Sequence, residues 1–76
     1  MKIEIVEVRG NIRLGQFLKL SGLADSGAHA TSLIKEGLVA VDGEVSTARA
    51  QQLQHGEVVS LQVEDTPFAA QVAVID

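Results

Sequence analysis

Cysteine is absent from the chain, which excludes disulfides and thiolate metal sites and leaves packing alone to hold the fold, as suits a reducing cytoplasm. Tryptophan and tyrosine are also missing, and the two phenylalanines, Phe17 and Phe68, fall where a core residue is expected. Aromatic platforms for stacking unpaired bases are therefore not expected. No apolar run approaches the roughly 20 residues of a membrane span. The N-terminus MKIEIVEVRG alternates apolar and charged residues and lacks the apolar centre of a signal peptide. There are only two histidines, His29 and His55. They are far apart in sequence, with no carboxylate at a recognisable ligand spacing, so no metal site is expected. Neither a nucleophile elbow nor a glycine-rich phosphate loop occurs, so the sequence predicts no enzyme activity, no cofactor and no small-molecule substrate. Positive charge is scarce as well: six Lys and Arg against ten Asp and Glu give −4, a poor balance for a ligand made of phosphates.

What is present points to a folded globule. Hydrophobic residues form 46% of the 76 residues and are spread evenly, which predicts one compact, cytoplasmic domain over 1–76. The charge is uneven along the chain. Between Asn11 and His55, Arg13, Lys19, Lys35 and Arg49 balance Asp25, Glu36, Asp42 and Glu44. The entire excess lies outside, where Lys2 and Arg9 meet Glu4, Glu7, Glu57, Glu64, Asp65 and Asp76. This split predicts cations on a helix and hairpin side, with Glu4, Glu7, Glu64 and Asp65 on a terminal-strand side.

Alternation makes the N-terminus a strand. After Arg9-Gly10-Asn11, Leu14, Phe17, Leu18 and Ser21 fall at helical spacing, predicting a helix over about 13–20 closed by Gly22. Ser26 is a good N-cap for a second helix running to about Glu36, with Ala30, Leu33 and Ile34 inward and Gly37 ending it. LVAVDGEV then reads as a hairpin turning at Asp42-Gly43. STARAQQLQ reads as an irregular crossing anchored by Leu53, HGE as a turn, VVSLQV as a strand and EDTP as another turn. FAAQVAVI reads as a last strand, although its alanines also suit a helix. The pattern predicts an α+β fold: two short helices on a small, mainly antiparallel sheet that includes a β-hairpin.

Taken in order, RLGQFLKLSGL, SGAHATSLIKEGLVAVDGEV and LQHGEVVSL resemble the RNA-binding domain named after the fourth protein of the small ribosomal subunit, here the S-four domain. The resemblance covers about residues 12–61, with terminal strands on either side. It is carried by Arg13, Leu14, Ala30, Leu33, Ile34, Gly37, Val39, Val41 and Gly43, and it is nearest to small stand-alone bacterial members of the YbcJ-like kind. It implies an αL-type motif whose helices and hairpin form one RNA-facing surface. The implied function is a translation-related, non-catalytic module for structured RNA of ribosomal or transfer type. Gly15, Gly27, Asp42 and Glu57 depart from the family's usual residues, and STARAQQ keeps only Arg49 of a segment often rich in Arg and Lys.

The candidate RNA-binding residues are Arg13, Lys19, Ser26, Gly27, His29, Lys35 and Arg49. The free amides after Ser26 suit a phosphate oxygen, although Ser26 also has the plain role of a helix cap. Arg13, Lys19, Lys35 and Arg49 suit a phosphate path, with Arg able to fork onto two oxygens; each alone also reads as a solvated surface charge. His29 is a candidate donor to RNA, and His55 reads as a turn residue. Gln51, Gln52 and Gln54 read as polar loop filler. The competing class is a protein-interaction module that retains the fold without RNA binding. Cations on one uninterrupted face favour RNA, and cations dispersed among Asp25, Glu36 and Glu44 favour a protein.

Overall fold

In a computed structural model of the protein, the described residues are 3–62 and 68–75. The alternating N-terminus forms β1 (Ile3–Arg9), and Gly10 and Asn11 separate it from the short β2 (Ile12–Arg13). Two helices follow, α1 (Leu14–Leu20) and α2 (Gly27–Lys35). The hairpin strands are β3 (Val39–Val41) and β4 (Glu44–Val45), followed by β5 (Gln52–Leu53), β6 (Val58–Leu61) and β7 (Ala69–Ile75). The alanine-rich end is therefore a strand. Alanine has little strand preference of its own, and β7 is fixed by ladders on both sides.

The main sheet has the order β1-β7-β6-β3-β4, and β2 and β5 pair separately. All pairings are antiparallel except β1 with β7, which run parallel with Ile3 beside Ala69 and Arg9 beside Ile75. The fold is thus α+β, with two helices on a mostly antiparallel sheet. Leu14, Phe17 and Leu18 of α1 are wholly buried, and Ala30 and Ile34 of α2 nearly so. They pack with Val39, Val41, Val59, Leu61, Val72 and Val8 of the sheet in one apolar cluster, to which Leu53 also belongs.

Two expected core positions differ. Leu33 is only partly buried and sits at the edge of the cluster, because the inward line of α2 runs through Ala30 and Ile34, which are four residues apart on one face. Phe68 is 50% exposed, although its spacing from the β7 residues suited the core. Val63 and the turn expected at Glu64, Asp65, Thr66 and Pro67 lie outside the described residues.

Local chemistry fixes the connections. Asp42 (φ +52°) and Gly43 (φ +87°) are both left-handed, as the tight turn matching the twist of a hairpin requires. Asp42 also ties the hairpin to β6: its Oδ1 accepts from the Val58 amide at 2.9 Å, and its own amide donates to the Val58 carbonyl at 2.8 Å. Here a side-chain oxygen is what matters, and Asp supplies it as well as Asn does. His55 is the turn residue its setting predicts, its Nδ1 accepting from the Val74 amide at 2.9 Å.

Candidate nucleic-acid interface

The first turn of α1 is built into the loop that carries Arg49. The Leu14 amide donates to the Gln51 carbonyl at 2.8 Å and the Gly15 amide to the Arg49 carbonyl at 3.0 Å, so two of the amides a helix start leaves free are used to hold the loop. Within the loop, the Ser46 hydroxyl meets Gln51 Oε1, and Gln52 Nε2 donates to Asn11 Oδ1 at 2.9 Å. These glutamines therefore work inside the fold. Arg13, the residue before α1, donates its amide to Gln16 Oε1 at 3.1 Å. Its guanidinium, which has no acceptor, is not needed for the cap.

This bracing brings three cations together. Arg13, Lys19 and Arg49 line one groove with Gly15, Gln16, Gly27, Thr31 and Ala50, enclosing about 330 Å³. Arg13 and Lys19 come from the two ends of α1, Arg49 from the loop, and Gly27 is the first residue of α2. The described acids are Glu4, Glu7, Asp25, Glu36, Asp42, Glu44 and Glu57, and none of them lines the groove. Among the described residues no Lys or Arg makes an ion pair.

The start of α2 forms one wall. Ser26 Oγ accepts the His29 amide at 3.1 Å, so Ser26 does cap its helix, and the Ala30 amide reaches the Ser26 carbonyl at 3.0 Å. Among the described residues no acceptor meets the amides of Gly27 and Ala28. They stand at the positive end of the helix dipole, with Gly27 in the groove wall beside the three cations.

Lys35 and His29 lie apart from this groove. Lys35 is in the last turn of α2, where a cation interacts favourably with the helix dipole; it follows Ala28 by seven residues and so shares its side. His29 borders a different hollow, on the other flank of α2. Its Nδ1 accepts from the Asp25 amide at 3.0 Å and lies 3.9 Å from Asp25 Oδ2. The imidazole thus lies against the backbone just before the Ser26 cap. The spacing of the sequence could suggest each cation, but not the loop carbonyls that bring Arg49 to α1. Of the amides after Ser26 that the sequence offers to a phosphate oxygen, those of Gly27 and Ala28 meet no acceptor among the described residues, whereas that of His29 is taken by the Ser26 hydroxyl.

Fold and groove together belong to a known class. The S4 domain family matches residues 4–67, and the chain is a member of that family. Within it, the chain is similar to "Putative RNA-binding protein YbcJ" of Escherichia coli (strain K12), with 42% identity over 50 residues that cover 66% of this chain and 71% of that protein. It is similar by the same measures to "Uncharacterized protein YbcJ" of Shigella flexneri.

Proposed function

We propose that the protein is a non-catalytic module that binds structured RNA, of ribosomal or transfer type, through phosphate and shape contacts in the groove of Arg13, Lys19 and Arg49. One observation carries this reading: three cations from separate elements converge, with no described acid among them, beside the unpartnered amides of α2. Phosphate contacts of this kind set register and orientation without reading sequence. Membership of the S4 domain family and the name of the Escherichia coli relative support RNA, without its type, as the ligand. Ser26 serves by capping α2, and Gly27 by leaving the backbone open to an oxygen. Lys35 extends the path along α2, and His29, beyond the groove, touches only an RNA large enough to wrap that helix.

The test is fluorescence anisotropy with a labelled RNA hairpin, comparing the natural protein with the Arg13→Ala/Arg49→Ala double variant. Both replacements keep the backbone groups that bind Gln16 and Gly15, so the fold is preserved. Losing two phosphate contacts weakens binding by about 10- to 100-fold near 0.1 M salt. Equal affinity in the two proteins, or no binding even at low salt, sinks the RNA reading and leaves the protein-interaction module in its place.

A further inference from the structure

A second hollow lies outside the cation groove and shares only His29 with the RNA reading. It encloses about 560 Å³ on the flank of α2 away from the cation groove, within the range of small-ligand and side-chain pockets. Leu23, Leu33, Leu61, Phe68, Ala69 and Ala70 supply its apolar lining. Glu4, Ser21 and His29 add polar groups.

The hollow lies against the row of sheet residues that faces the core. Ala70 lies in that row, beside Glu4 and Val59 and two residues before the buried Val72. A methyl there leaves open the space that a valine fills further along. Phe68, half-exposed, belongs to the lining.

The charge around the hollow selects its occupant. Among the described residues no Lys or Arg lines the hollow. Glu4 lies in the wall, and no cation of the described residues is within ion-pair distance of it. Asp25, its side chain 97% exposed, stands beside His29. An apolar hollow with carboxylates on its border repels nucleic acid and anionic lipid, and a second copy of the same face brings like charge against it.

We propose that this hollow docks a basic segment of a partner protein, seating one large apolar side chain between Leu33 and Phe68 and setting flanking Lys or Arg against Glu4 and Asp25. The domain then carries two independent faces: cations for RNA on one flank of α2 and an acid-bordered apolar seat for protein on the other.

The probe is a blocked pentapeptide, Lys-Arg-Leu-Lys-Arg, titrated into isotopically labelled protein without RNA while methyl and amide NMR signals are followed. Saturable shifts of the Leu23, Leu33, Leu61 and Ala70 methyls are expected, with the Gly27 and Arg49 amides unmoved. Replacing the central leucine by glycine weakens binding about 10- to 100-fold, as removing one buried leucine side chain should. Glu4→Lys and Phe68→Ala each weaken it severalfold, without altering affinity for the RNA hairpin near 0.1 M salt, where the acidic side is screened from the groove. Equal binding of the glycine peptide would mean diffuse surface charge only, and absence of methyl shifts would mean no seat; either overturns the proposal. So does concentration-dependent self-association that Phe68→Ala abolishes, because the occupant would then be a second copy. As no RNA is present, failure of the RNA reading leaves this result intact.

Discussion

Leu33 and Ile34 are adjacent on α2 but meet different surroundings: Ile34 is buried to 1% exposure in the core, and Leu33 borders the apolar hollow. Ile34→Ala leaves a void that the sheet below cannot close and should cost about 2–5 kcal/mol, a large share of a small domain's stability. Leu33→Ala should cost about half as much, because part of that side chain is already in water. Urea unfolding of both variants checks the order, and equal losses would mean that the hollow is filled in solution. Helical spacing made both residues inward candidates, yet it cannot say which neighbour lies on the central line and which on the flank. Phe68 shows the same limit, since its place in the sequence just before β7 does not report whether packing reaches it. Gly15 makes a contrasting case. A methyl there would stand 3.5 Å from the Arg49 carbonyl oxygen and 3.7 Å from Arg49 Cβ, ordinary contact distances. Gly15→Ala should therefore be tolerated and raise stability by up to about 1 kcal/mol through helix preference, seen as a higher midpoint in thermal unfolding. A loss instead would mean that the loop presses closer on α1 than these distances allow.

Among the elements, the hairpin was the most legible, because Asp-Gly between alternating apolar residues has one favoured local geometry and that geometry is the one adopted. It also yields a sharp expectation. Gly43→Ala places a side chain at φ +87° with open space around it, so the cost is backbone strain alone, about 1–2 kcal/mol. Thermal unfolding should register it, while the Asp42 contact to Val58 keeps the register of β3 against β6. A shift in the amide exchange of Val58 as large as that of Gly43 would mean that the turn, rather than Asp42, fixes the register. The ends of α1 and α2 were nearly as plain, each closed by a left-handed glycine. Partners of the outer strands were not legible. Alternation in Ile3–Arg9 marks a strand and its two faces, but the same alternation suits a parallel or an antiparallel neighbour, and pairing with β7 joins residues at opposite ends of the sequence. The Arg49 loop was equally hidden, for its position rests on carbonyls of Arg49 and Gln51, which no side-chain pattern reports.

For the molecule as a whole, the sum of the charge and its distribution point in different directions. A total of −4 argues against a phosphate ligand, yet the balanced middle of the chain folds into an acid-free groove while Glu4 and Glu7 stand on β1. The separation is only as long as the molecule, whose extents are 34 × 25 × 22 Å. On the proposed function, ionic strength therefore decides whether RNA in the groove senses the acidic side. Near 0.1 M salt the screening length is about 10 Å and that side is largely hidden; near 0.01 M it is about 30 Å and the whole molecule lies within reach. With Lys35 included, four cations can meet phosphate, so the slope of log affinity against log salt should be no steeper than about −3.6 around 0.1 M. Below about 0.03 M the line should flatten, because repulsion from the acids grows as screening fades. The Glu4→Gln/Glu7→Gln variant should straighten the line at low salt and leave the slope at moderate salt unchanged, whereas Arg13→Ala/Arg49→Ala should reduce that slope by up to about 2 units. A salt series by fluorescence anisotropy on one RNA hairpin separates these effects. A slope steeper than about −5 would require more phosphate contacts than these four cations provide, and the interface would then extend beyond the groove and α2.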